Sequence, residues 1–375
     1  MSAPEPNRTH DLELGVAAVH HHVMHTVIGS RRISQRRLDF ERSRPRWLRE
    51  CIAEATGVFM YVLPGIGATA SFTLNAESPI GSTAFGSLFS IGFAFAFGIA
   101  FAIIICAPVS GGHFNPAVTI SATIWLGFPL KKVPHYILSQ LLGGFIAALV
   151  LMGIYHQQIN EMKETLLAAG HPLVANGAPA SLLCSFPNPD QSMGYVFLAE
   201  FFASSFVALL IWACIDPANP LVSPYITPLV IGFAYASMAW AFGSATVNMN
   251  AARDLGPRIV AAIFYGGEAF TYKNYAPIAI LVNIPATFIA SSFYELVIRD
   301  SLLVIKTGHA VHADGDEALM RHITDTMSVE GIEETAAVLK TILDKPDLKL
   351  QIGRFTMSTL ITDADQDAGS SQTTV

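Results

Sequence analysis

Charged residues are scarce in this chain. They make up only 14% of its 375 residues, while 52% are hydrophobic and the mean hydropathy is +0.45. Soluble domains carry about 25% charged residues. A shortfall of this size means that much of the surface does not face water, which argues against two or three ordinary soluble domains. Cysteine is scarce too. Cys51, Cys106, Cys184 and Cys214 form no Cys-x-x-Cys pair, and three lie in apolar runs, so neither a disulfide framework nor a zinc site is indicated. The cluster His20, His21, His22 with His25 lacks a partner motif and reads as an exposed polar stretch rather than a metal site. No cleavable signal is visible ahead of the first apolar run, which starts near Leu48 behind a long polar arm and is expected to stay as a membrane anchor.

The charge that is present is uneven. Arginines cluster in the first fifty residues, from Arg31 to Arg49, whereas the stretch after Asp300 is rich in Asp and Glu. The basic segment is short and poor in aromatics that could stack on bases, so nucleic-acid binding is not expected.

A helix needs about 20 mostly apolar residues to cross a bilayer. Such segments fall near 48–70, 87–108, 133–155, 194–215, 224–243 and 275–298. Small residues recur in them, including Gly57, Gly65, Gly143, Gly144 and Gly232, and let helix backbones approach closely. Two further apolar runs, near 115–126 and 250–263, are too short to span and read as re-entrant segments. The irregular turns that lead into them would leave bare backbone in lipid, which is tolerated only inside protein or along a water-filled cavity.

The halves match. Ala53-Glu54-Ala55 opens the first span and Ala199-Glu200-Phe201 lies in the fourth. Each is followed by two more spans with a short Asn-led helix between them. Three spans per half is an odd number, so the second copy is expected upside down. Half one covers 48–155 and half two 194–298. Lys131 and Lys132 fall between spans two and three, the arginine-rich arm precedes span one, and the loop 156–193 holds only Lys163. Lys and Arg favour cytoplasmic loops, so both termini are expected to be cytoplasmic.

The strongest signal is the pair His113-Phe114-Asn115-Pro116-Ala117-Val118 and Asn248-Met249-Asn250-Ala251-Ala252-Arg253-Asp254. Asn caps a helix well, and Pro at the first helical position costs no hydrogen bond. A single Asn-Pro would mean only that a helix starts. Two Asn-led short helices at matching places of inverted halves mean more. This constellation resembles the aquaporin and aquaglyceroporin family over about residues 48–298. The matching residues run from Ser110 to Thr119 and from Asn250 to Arg258, with Glu54 and Glu200. The second motif departs from the pattern, reading Asn250-Ala251-Ala252 where Asn-Pro-Ala is usual. Ala is a good helix former, so the helix can still start, with looser packing between the tips.

The resemblance implies an all-α membrane fold of six transmembrane helices and two re-entrant half-helices in an inverted repeat. It implies a passive channel rather than an enzyme, without cofactor or metal, assembled as a homotetramer in membrane lipid, with the plasma membrane as expected site. Both half-helices would aim their N-termini, each carrying about half a positive charge, at one midplane zone. Asn115 and Asn250 would offer donors there, opposing protons and cations while passing water, glycerol and similar neutral solutes.

Arg253 is costly at such depth, by about 2.5–3.5 kcal/mol on insertion scales, so it should face the pore or a partner. By resemblance it lines the narrow filter, with Phe95, Val247 and either Ala239 or Met238. Asp254 marks the glycerol-conducting branch and is expected to cap or brace the second half-helix. Glu54 and Glu200 are expected to accept hydrogen bonds from the turns before the half-helices, the alternative being proton relay. His113 fits a vestibule or gate, or simply satisfies backbone carbonyls.

Residues 1–47 lack a sustained apolar period and are expected to be mostly disordered. Arg31-Arg32-Ile33-Ser34 has the form of a basophilic kinase site at Ser34, or of an arginine stretch that holds anionic lipid. Residues 299–375 form a second tail with amphipathic helix spacing over 316–344. Three functions remain open: a glycerol and small-solute facilitator, a mainly water-selective channel, and a non-conducting scaffold or sensor acting through its tails.

Overall fold

A computed structural model describes residues 32–76, 86–306 and 309–326. Among these the chain is helical and contains no strand. The histidine cluster at 20–25 and the stretch 327–344 lie outside the described residues. Two compact units divide between Arg49 and Glu50.

In the first unit, α1 (Gln35–Ser43) corrects part of the expectation that 1–47 is disordered. Ser34 caps it by accepting from Arg37 N at 3.3 Å. Polar pairs four residues apart follow: Gln35 donates to Asp39 at 2.9 Å and Arg37 to Glu41 at 2.6 Å. Arg37 and Arg44 also lie over the Phe40 ring. Caps and i,i+4 pairs stabilise a helix that no apolar period announces.

The remaining helices are α2 (Arg46–Leu74), α3 (Leu88–Ser110), α4 (Pro116–Trp125), α5 (Val133–Ile154) and α6 (His156–Ala168), then α7 (Met193–Ile215), α8 (Thr227–Phe242) and α9 (Ala251–Tyr265). After α10 (Glu268–Thr271) come α11 (Ala276–Leu281) and α12 (Asn283–Phe293), which a wider turn continues to Ile298. Among the described residues six helices are long and apolar enough to cross a membrane: α2, α3, α5, α7, α8 and the combined Ala276–Ile298. Their outer faces leave Ile104, Ile105, Leu138 and Phe202 exposed, which water would penalise and lipid does not. The tail forms α13 (Ser301–Lys306) and α14 (Asp316–Thr326), with Leu319 and Ile323 buried against Leu302 and Ile305. The amphipathic period of the tail is thus helical as far as Thr326.

The two halves cross-pack. The first half-helix, α4, lies on α12 of the second half, and the second, α9, lies on α5 of the first. The middle spans α3 and α8 pack on each other. Glycines set the α5–α9 distance. A Cβ on Gly256 would come within 2.6 Å of Leu141 O, and one on Gly144 within 2.6 Å of Ala252 O. Those obstacles are backbone and cannot swing away. Small residues here allow the close approach that replaces hydrophobic drive in lipid.

Candidate functional site

Each half-helix begins from a turn that the sequence forces into strain. Phe114 and Met249, the residues just before the two capping asparagines, have φ of 50° and 62°. Bulky side chains rarely adopt this left-handed region, at a cost of about 1–3 kcal/mol. A buried carboxylate holds each turn. Glu54 accepts from Phe114 N at 2.8 Å, His113 N at 3.1 Å, Ser110 Oγ at 2.6 Å and Gln140 Nε2 at 2.7 Å. Glu200 accepts from Asn248 N at 2.6 Å, Met249 N at 2.7 Å and Ser204 Oγ at 3.3 Å. Both carboxylates are fully buried. Charge-assisted bonds to backbone N–H groups are strong enough to hold a strained turn. These bonds are the ones the expected bracing role requires.

The strain delivers the two asparagines to one place. Asn115 caps α4, its Oδ1 accepting from Ala117 N at 3.0 Å, and Pro116 is the first helical residue. Asn250 caps α9, its Oδ1 accepting from Ala252 N at 2.8 Å and Arg253 N at 3.3 Å. Each side-chain amide then crosses to the other half: Asn115 Nδ2 donates to Met249 O at 3.2 Å and Asn250 Nδ2 to Phe114 O at 2.8 Å. An amide nitrogen carries two hydrogens, so one of each pair remains. Both asparagines line a cavity of about 70 Å³ together with apolar side chains such as Ile99, Val118, Val207 and Ile231. A water needs about 10–15 Å³ of such volume, so a short file fits.

Ala251, the departure from the Asn-Pro-Ala pattern, is the first residue of α9, and Ala251 and Ala252 are buried like Ala117. Around the second turn, Tyr235 donates to Asn248 O at 2.9 Å, Asn248 Nδ2 to Asn250 O at 2.8 Å and to Ala279 O at 2.9 Å, and Asn283 Nδ2 to Met249 O at 2.9 Å. His113 Nδ1 lies 3.2 Å from Thr119 Oγ1, and its ring packs on Phe128 and Tyr136. That ties His113 to the first turn, on the wall of the cavity.

On the other side stands Arg253, only 8% exposed. Its Nη1 donates to Ser185 Oγ at 3.2 Å, and its guanidinium lies 5.4 Å from the Phe95 ring centre. Its Nε has no hydrogen-bond partner among the described residues. Met238, Ala239 and Val247 are partly buried and pack against the same central cluster as Phe95. The structure therefore brings Phe95 directly to Arg253, while Met238, Ala239 and Val247 are tied to it only through that cluster. Asp254 does not line the cavity. It is fully buried and pairs with Arg258, at 2.5 Å to Nε and 2.8 Å to Nη2. Arg258 donates onward to Ala269 O at 2.6 Å and Ser185 O at 2.8 Å. Asp254 thus fixes, through Arg258, the loop residue that also contacts Arg253. Cys184 is buried beside this pair, and burial pushes its thiol up to about 12, leaving it neutral.

Sequence reasoning named Asp254 but gave Arg258 and Asn248 no role, and it missed Ser185, Gln140, Tyr235 and Asn283. The available signal was polarity inside apolar runs: Gln140 and Asn283 are polar side chains in spans, which are rare without a partner. Ser185, in a loop far along the chain, gave no such signal.

A family model described as Major intrinsic protein matches residues 41–273. The chain belongs to the major intrinsic protein family. This is a family of channels, not enzymes, and its six apolar helices make this member an integral multi-pass membrane protein. Among similar proteins is Aquaporin-3 of Laccaria bicolor, 40% identical over 274 residues, covering 72% of this chain and 82% of that protein. Aquaglyceroporin-2 of Rhizophagus irregularis is 34% identical over 252 residues, covering 66% of this chain and 76% of that one. The X-ray structure of the aquaglyceroporin from Plasmodium falciparum aligns with a TM-score of 0.58 at 26% identity, covering 69% of this chain and 99% of that one. The all-helical fold with two short inward helices is thus that of the aquaporins.

Proposed function

We propose that the chain is a passive transmembrane channel for glycerol and other small uncharged solutes, with water permeability, that excludes protons and ions. The observation that carries this reading is the pair of asparagine amides. Each anchors to the opposite turn and keeps one N–H for the cavity. A solute oxygen between them accepts both, and its own donors then point away from its neighbours. The two helix N-termini make the same zone positive, which repels cations at a point where they would also lose their hydration. Arg253 offers a donor fork to hydroxyls, while Phe95 beside it presents an apolar face to the carbon edge of a polyol.

Asp254 and the lack of a histidine at Met238 or Ala239 favour the glycerol-conducting branch, and aquaglyceroporins are among the similar proteins. Phe95 at the span-two filter position is the feature that favours water selectivity instead. We further expect a homotetramer in the plasma membrane with both termini cytoplasmic, and Ser34 as a kinase target. The test is stopped-flow shrinkage of proteoliposomes in water, glycerol and urea gradients, with Arg253→Ala alongside. Glycerol flux well above empty vesicles supports the facilitator. Water flux alone supports the water channel, and neither flux supports a scaffold.

A further inference from the structure

One wall residue of the cavity has a polar group that no described residue bonds. On α2, Glu54, Gly57, Tyr61 and Gly65 follow one another at three- and four-residue steps and so share one face. Glu54 holds the first turn. Gly57 is a notch for the Phe114 ring and Gly65 a notch for the Phe95 ring, because a Cβ at either glycine would fall on those carbons. Four helical residues rise about 6 Å. Tyr61 is therefore placed about one turn from the asparagine level marked by Phe114 and about one turn from the Arg253 level marked by Phe95.

Tyr61 is 2% exposed, lines the cavity that Asn115 and Asn250 line, and its hydroxyl has no hydrogen-bond partner among the described residues. Leaving a buried hydroxyl unmade is unfavourable. The inverted repeat supplies the contrast. Tyr61 stands seven residues after Glu54, and Val207, which lines the same cavity, stands seven after Glu200. One half places a hydroxyl where the other places methyls. The other lining phenol, Tyr235, is already committed to Asn248 O.

We infer that the Tyr61 hydroxyl is a specificity-determining contact of the lumen, taking the second hydroxyl of a small polyol while its first is held at the asparagine pair. The inference rests on the channel reading above and deepens it. A water molecule between the asparagines needs no third group. A polyol that has shed its water carries further hydroxyls, and beyond the asparagines, His113 and the committed Tyr235 the other cavity side chains are apolar. The hydroxyl both donates and accepts, so it serves either orientation of the solute.

The test is Tyr61→Phe, which keeps the ring and its packing and removes one oxygen. Wild type and variant are reconstituted at equal density, with matched elution on gel filtration, and glycerol and water permeabilities are read from the same vesicles. The expected result is a glycerol-to-water permeability ratio lowered about three- to ten-fold, the effect of one net hydrogen bond. An unchanged ratio overturns the inference, whether both permeabilities stay constant or fall together, since either outcome assigns the hydroxyl to packing alone. If the wild type itself passes no glycerol above empty vesicles, the channel reading fails first and the inference fails with it.

Discussion

Replacing Glu200 by Gln changes one atom and tests how the second asparagine is held. The carboxylate accepts two backbone N–H groups, Asn248 N at 2.6 Å and Met249 N at 2.7 Å, one on each oxygen. Glutamine keeps one oxygen. The bond retained there falls from charge-assisted to neutral, losing about 1 kcal/mol, and the other N–H now faces an amide donor and is orphaned at about 1–3 kcal/mol. The sum, about 2–4 kcal/mol, is centred above the roughly 1–3 kcal/mol of strain in the positive-φ Met249 turn. The turn then relaxes, and the Asn250 amide loses its registry with Phe114 O. We expect Glu200→Gln to melt at lower temperature in detergent and to lose most of its solute flux in proteoliposomes. Ser204→Ala removes only the 3.3 Å bond to the same carboxylate and should stay close to wild type. Glu200→Gln with wild-type flux and an unchanged melting curve would refute the bracing argument.

Three other outcomes follow from the same geometry. Asp254→Asn leaves the buried Arg258 guanidinium without its countercharge, at about 3–5 kcal/mol, and should lower thermal stability more than Arg253→Ala does. Gly256→Ala drives a methyl onto the Leu141 carbonyl and should push α5 and α9 apart, at about 1–3 kcal/mol of overpacking, with reduced flux in the stopped-flow assay. Ala251→Pro sits at the first position of α9, where a missing N–H and a fixed φ are tolerated, so it should leave flux intact and raise the melting temperature slightly, by about 0.4–1 kcal/mol of stability.

The spanning helices were legible because lipid demands long apolar runs, and nothing else in the chain satisfies that demand. The half-helices were legible because Asn115 and Asn250 combine a capping residue with an apolar run too short to span. What stayed hidden depends on partners distant in sequence. Arg258 sits 4 residues from Asp254 but reaches Ser185 73 residues back, a contact no local pattern encodes. Gln140 braces Glu54 across 86 residues. In the sequence Tyr61 is one more aromatic in an apolar run, and only the notches at Gly57 and Gly65 place its ring. Helix α1 was hidden for the opposite reason. Its stability is local and polar, and Ser34, which reads as a kinase site, is also the cap that starts it.

The central claim is that paired asparagine amides beneath two helix dipoles pass neutral solutes and stop protons. Proteoliposomes loaded with a pH-sensitive dye test it directly, by recording shrinkage and recovery in a glycerol gradient and then the dye response to a pH step. The account predicts glycerol and water fluxes far above empty vesicles, with a proton leak equal to theirs. A proton leak that rises with the amount of protein reconstituted, or solute flux no faster than the bare bilayer, contradicts it.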